Sequence, residues 1–182
     1  LIWGEQGIGD EIMFASMLPE LSLAADHVIL ECEHRLVPLF QRSFRTISVF
    51  PRKDPPASGL ISATPDWQIP LGSLGRLLRP NLAAFSDRRS FLQPDAGTVA
   101  AARDRYANLA SGRRTIGISW RSSNVETGAQ RSIGLEDWLP ILNDDNSIFV
   151  NLQYGDVDDE IAELEARHDI RVHQDTHVNQ LK

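Results

Sequence analysis

Leu1 to Leu21 reads LIWGEQGIGDEIMFASMLPEL, and no other stretch limits the fold of this chain as strongly. Leu1 to Trp3 is a short apolar run that enters a turn containing Gly4, Gly7 and Gly9. From Ile8 the apolar residues recur at Ile12, Met13, Met17, Leu18 and Leu21, the spacing of a helix with one face against a sheet. A strand, a tight glycine turn and a helix form the first half of a βαβ unit. Ligands in such folds bind at the carboxyl ends of the strands, so the turn is where chemistry is expected.

The glycines do not complete a dinucleotide fingerprint. Counting from Gly7 and Gly9, the third glycine of G-x-G-x-x-G falls at Ile12. Asp10 and Glu11 occupy the first helical turn, where the helix dipole favours carboxylates and where they would repel a diphosphate. Two readings stay open. The acids cap the helix, or Asp10 is a general base facing a cleft.

The rest of the chain continues the alternation of strands and helices. Strands are expected at 27–32 and 46–50, with a short helix or turn at 35–41 between them. Residues 51–65 read as a loop rich in proline, glycine and serine. Trp67 to Leu71 reads as an edge strand, because Pro70 cannot donate to a ladder. Gly72 and Ser73 then start a short helix carrying Leu74, Leu77 and Leu78, with Ser73 as a candidate N-cap. A helix from Asp95 to about Ala110 puts Val99, Ala102, Tyr106 and Leu109 on one side, and the polar break at 111–114 marks a domain boundary at 112/113.

A second strand-turn-helix unit follows. The strand is Thr115 to Trp120, the turn Arg121 to Arg131, and the helix Leu135 to Leu142. Arg121 and Arg131, with Ser122 and Ser123, could clamp a diphosphate through bidentate guanidinium contacts and hydroxyl donors, or the arginines are solvated surface charges. A strand at 147–153, a turn at Tyr154 and Gly155, an acid-led helix at 156–166 and a strand at 170–173 complete the reading. Gln153 and Tyr154 are candidate donor contacts. Glu31 and Glu33, at the end of the second strand, sit where a dinucleotide fold holds ribose hydroxyls, which keeps an oxidoreductase as the minor alternative.

The segments WGEQGIGDEIMFASMLPEL, LECEHRLVPLF, DWQIPLGSL, IGISWRSS and FVNLQYGD, in that order, span nearly the whole chain. Together they resemble the glycosyltransferase-like domain that follows tetratricopeptide repeats in many bacterial proteins, a relative of the lipopolysaccharide heptosyltransferases. The resemblance implies the two-Rossmann-domain architecture called GT-B, with the acceptor on the first domain and a nucleotide-sugar on the second. It implies an inverting, metal-independent transfer without a cofactor. A Gly-Asp pair after the first strand supplies the base in heptosyltransferases, and Gly9 and Asp10 match it, flanked by Gln6 and Gly7. A basic residue in the second turn contacts donor phosphate there; Arg121 matches by position and Arg131 by type. The segment PLGSL would face the interdomain cleft. A partner carrying tetratricopeptide repeats in the same parent chain is a further expectation, as is the alternative of a non-catalytic binding module.

Composition excludes several other classes. A hydrophobic share of 42% over 182 residues supports a real core. A formal charge of −7 disfavours a nucleic-acid partner, which needs a positive face. No run of about 20 apolar residues is long enough to span a bilayer, and no signal peptide is evident, so the default location is cytoplasmic. Cys32, the single cysteine, reads as a core thiol. His173 and His177 lack a third partner in the pattern and read as surface histidines, so no metal site is expected. The second unit, 113–182, yields only three strands where a doubly wound domain has about five or six. On that reading the chain is a fragment that does not turn over a donor and pairs through its open sheet edge.

Overall fold

A computed structural model describes residues 1–85, 90–122 and 127–177. The fold is α/β, with two parallel sheets and their connecting helices in a Rossmann-like arrangement. The chain divides into two units between Val99 and Ala100. That point lies inside a helix, α6 (Ala96–Ala110), rather than after it at 112/113. The physical reason is that the second half of α6 is tied to the second unit: Arg105 Nε and Tyr106 Oη both donate to Asp175 Oδ2, at 2.9 and 2.6 Å.

In the first unit the strands are β1 (Ile2–Trp3), β2 (Val28–Cys32), β3 (Ile47–Pro51) and β4 (Ile69–Pro70), all parallel, in the order β3-β2-β1-β4. Ile2 pairs with Leu30 on one side and with Ile69 on the other. β2 and β3 step outward from β1, and β4 returns to its opposite side. The order therefore reverses between β1 and β4, and the crevice outside such a reversal is where doubly wound sheets bind ligands. β4 is an edge strand, as its proline requires.

Alternation along β2 buries Val28, Leu30 and Cys32. They meet Ala15, Met17, Leu18, Phe40, Leu71 and Leu74 from the helices. Each large side chain buried this way contributes about 1.5–3 kcal/mol. The first helical run is α1 (Ile8–Phe14), a 3₁₀ turn (Ala15–Met17) and α2 (Leu18–Ala24). Pro19 in the first turn of α2 has no N–H for the preceding carbonyls, which explains the break. A 3₁₀ turn (His34–Leu36) and α3 (Val37–Ser43) connect β2 to β3.

The segment 51–65, read as an aperiodic loop, contains a short helix, α4 (Ser58–Ser62). Burial of Leu60 fixes it, and Gly59 lies against the Phe50 ring so closely that a Cβ would stand 2.7 Å from Cε1. Five residues are too few to display a helical period. After β4 a 3₁₀ turn (Leu71–Ser73) leads into α5 (Leu74–Leu78), and the Ser73 side chain makes no capping bond.

The second unit carries β5 (Arg114–Ile118), β6 (Ser147–Asn151) and β7 (Val172–Gln174), parallel and in chain order. All of β6 is buried, as expected of a central strand covered on both faces. The helix expected at 135–142 is a 3₁₀ turn (Leu135–Trp138) followed by α7 (Leu139–Leu142), again broken at a proline, Pro140. In α8 (Asp158–His168), Asp158, Asp159 and Glu160 occupy the first turn and Arg167 and His168 the last, both favoured by the helix dipole. Among the described residues no helix is long and apolar enough to cross a membrane.

Candidate functional site

The carboxyl ends of β1, β2 and β3 are tied together by one buried side chain, Glu11, which is 1% exposed. Its Oε2 accepts the Glu33 amide at 2.8 Å, just past β2. Its Oε1 pairs with Arg52 Nη1 at 3.0 Å, just past β3. The same Nη1 donates to the Gly4 carbonyl just past β1. Burial raises the Glu11 pKa above the ordinary carboxylate range, against the Glu33 amide and the Arg52 charge, which lower it. The sequence reading gave Glu11 no role beyond capping its helix, and the structure corrects that. Cys32 lies beneath as the expected core thiol, and burial, then the Glu11 charge, push it up to about 12.

With Glu11 turned inward, Asp10 is left in the open part of the turn. It is half-buried and makes no hydrogen bond or ion pair with a described residue. Its carboxylate leans back over the turn, since a Cβ on Gly7 would stand 3.5 Å from Oδ2. Gly7 precedes the helix in extended conformation and makes no side-chain cap possible there. Gly9 is exposed with nothing within 4 Å of a Cβ position. Gln6 and Glu5 reach across to the turn after β4: a Cβ on Gly72 would meet Glu5 Oε1 at 3.0 Å and Gln6 Nε2 at 3.4 Å. The turns after β1 and β4 therefore touch at the point where the strand order reverses.

The second unit treats its turn differently. Gln153, 1% exposed, spends its side chain internally. Oε1 accepts from Ser119 Oγ at 3.1 Å, the Trp120 amide at 3.1 Å and the Arg121 amide at 2.9 Å, and Nε2 donates to the Tyr154 carbonyl. A side chain with those partners has no surface to offer a donor, so its expected role as a contact is corrected to that of a turn clamp. The Arg121 guanidinium donates to the Asp156 carbonyl and stands 3.8 Å from Glu160 Oε2. Glu160 also accepts Trp120 Nε1 at 2.9 Å.

Arg131 is exposed in a 3₁₀ turn (Ala129–Arg131), and Tyr154 is exposed as well. The Ser122 amide donates to Ser132 Oγ at 3.0 Å, and Ser123 lies outside the described residues. At the second strand, Glu33 caps the following turn, accepting the Arg35 amide at 2.7 Å and Arg35 Nε at 2.8 Å. His173 is half-buried in β7, where it pairs with Val150.

Sequence reading missed Arg52. The only signal was a basic pair at the end of a strand, with a buried acid forty-one residues away to receive it. No family model matches the chain, and no solved structure matches it at a significant level. It is 36% identical over 175 residues to Protein FlbA of Caulobacter vibrioides (strain ATCC 19089 / CIP 103742 / CB 15). That alignment covers 89% of this chain and 29% of FlbA, so the chain spans under a third of that relative's length.

Proposed function

We propose that the protein is a glycosyltransferase-like domain that transfers a sugar from a nucleotide donor to an acceptor hydroxyl with inversion, independently of metal. The observation that carries this reading is Asp10, a carboxylate without a partner among the described residues, at the carboxyl end of β1 where the strand order reverses. Asp10 takes the proton from the acceptor hydroxyl as that oxygen attacks the anomeric carbon, and the nucleoside diphosphate leaves from the opposite face. Gln6, Gly7 and Gly9 shape the acceptor side of the turn. Arg121, Ser122, Ser123 and Arg131 belong to the donor side, with cationic and hydroxyl donors for the departing diphosphate. The parent chain is read as one that also bears tetratricopeptide repeats.

A second reading, a binding module without turnover, is favoured by the second turn, where Arg121 is held by Asp156 and Glu160 and Gln153 is consumed internally. Transfer assays decide between them. With UDP-, GDP- and ADP-sugars offered to the full-length protein, Asp10→Asn should lower the transfer rate by about 10²–10⁴, the usual contribution of a general base, with an unchanged circular dichroism spectrum. A wild-type rate in that variant removes Asp10 from the mechanism. Donor binding without transfer in the wild type establishes the second reading.

A further inference from the structure

The proposed reaction leaves one group at the end of the first sheet unused, the far edge of Arg52. Its backbone is anchored, the amide donating to the Cys32 carbonyl at 2.6 Å. Its guanidinium is anchored twice through a single nitrogen, Nη1, on the Gly4 carbonyl and on Glu11 Oε1. Nε and Nη2 donate to no described residue, and the side chain is 39% exposed. An arginine that served only to neutralise Glu11 would be expected to present a two-nitrogen fork to that carboxylate. Here Glu11 has given its other oxygen to the Glu33 amide, so Arg52 holds on by one nitrogen and keeps its Nε–Nη2 edge clear.

That edge consists of parallel N–H groups on a rigid, permanently charged plane, the geometry that matches two oxygens of a carboxylate or phosphate. The Glu33 carboxylate does not compete for it, being taken by Arg35. We propose that the Nε–Nη2 edge of Arg52 is an anion subsite beside the Asp10 turn, and that the ligand of this turn carries an acid group, a carboxylate or a phosphate, seated on it. The inference rests on reading this turn as the acceptor side. Glu11 is then a positioning residue, which acts through Arg52 by fixing the plane of the guanidinium.

The test follows the Arg52 Nε–Hε signal by ¹⁵N NMR while the protein is titrated with glucose 6-phosphate, glucuronic acid or glucose. The acid-bearing sugars should move the signal saturably and glucose should not, and the stronger of the two arms identifies phosphate or carboxylate as the group. In the variants, which lack that signal, binding is followed through the backbone amide signals of Gly4, Gly7 and Gly9. Arg52→Lys keeps a charge beside Glu11 and so preserves the fold, yet loses the paired edge; it should weaken binding by about tenfold, the loss of one charge-assisted hydrogen bond. Arg52→Gln should abolish saturation of those amide signals. No saturable shift with either acid, an equal shift with glucose, or unchanged affinity in folded Arg52→Lys overturns the subsite. Saturable binding in a protein that transfers no sugar retires the transferase reading and leaves the subsite standing. Transfer to an acid-bearing acceptor with an unchanged KM in Arg52→Lys does the reverse.

Discussion

Replacing Gly4 by alanine sets a methyl group where a buried carboxylate already lies. The new Cβ would stand 2.5 Å from Glu11 Cδ and closer still to Oε1, and neither atom belongs to a freely moving side chain, because Glu11 is held by Arg52 and by the Glu33 amide. Two relaxations are available. The turn can shift with Glu11 in place, an overpacking that costs about 1–3 kcal/mol. Alternatively Glu11 can swing out, which breaks a buried ion pair and leaves an amide without its acceptor, at about 3–5 kcal/mol. The cheaper route sets the cost. Set against the roughly 0.5–1 kcal/mol that alanine gains by restricting the unfolded chain, a net loss of about 1 kcal/mol is expected. For a unit of this size each kcal/mol moves Tm by about 4–8 °C, so calorimetry should place the first unit's transition about 4–8 °C lower. Gly9→Ala is the control. Nothing lies within 4 Å of its Cβ position inside α1, and alanine there should stabilise by up to about 1 kcal/mol. If the two variants lower Tm equally, or if Gly4→Ala melts with the wild type, Glu11 is not seated against the turn as described.

In the second unit, burial alone would raise the Asp175 pKa, but hydrogen bonds from Tyr106, the His177 amide and Arg105 outweigh it and hold it below the ordinary value of 3.8. A depressed folded-state pKa contributes stability that is present above 3.8 and lost as pH falls through the folded value. Asp175→Asn should therefore cost about 1.5–3 kcal/mol at neutral pH and flatten the acid limb of the second unit's stability curve; an unchanged limb below pH 4 refutes the pairing. Gln153→Leu leaves the Trp120 and Arg121 amides and the Ser119 hydroxyl without an acceptor, and the Trp120 amide, the buried one of the three, alone costs about 1–3 kcal/mol. Urea unfolding followed by tryptophan fluorescence should show at least the cost of one such group, and a midpoint equal to wild type rules out the clamp.

The elements were legible because the apolar periods are clean. The stretches 27–32 and 147–153 read as strands and contain Val28–Cys32 and Ser147–Asn151, the helix after Gly7 announced itself by its spacing, and Pro70 placed its strand at an edge. What stayed hidden depends on partners distant in sequence. Glu11 beside Asp10 looked like a second capping acid, since nothing local distinguishes an acid that turns into the sheet from one that faces water. Only Arg52 and the Glu33 amide, brought to the same strand ends by the parallel register, make the difference. Gln153 escaped for the same reason: a glutamine after a strand resembles a ligand contact until the turn of Ser119 to Arg121 is seen folded onto its oxygen. The five-residue α4 was lost for the simpler reason that one buried leucine carries no period.

Both sheets knot the turn after their first strand around a buried acceptor, and the choice of acceptor sets the chemistry each turn can do. A carboxylate does this in the first unit, and a buried carboxylate demands a cation, so Arg52 is drawn in. In the second the acceptor is a neutral amide, which needs no counter-charge and leaves Arg121 to find a partner on α8. That partnership does not disqualify Arg121 from a diphosphate. The ion pair with Glu160 spans 3.8 Å between groups that are 42% and 32% exposed, and pairs of that kind contribute about 0–1 kcal/mol. A charge-assisted hydrogen bond to phosphate contributes about 1.5–3 kcal/mol. Glu160 would not follow the arginine, because Trp120 Nε1 holds it at 2.9 Å, nor would the turn collapse, because the Arg121 amide stays on Gln153. Exchange of Arg121 Nη1 from Glu160 to a bound diphosphate would thus be favourable by about 1–2 kcal/mol on these contributions, provided Nη2 keeps its bond to the Asp156 carbonyl.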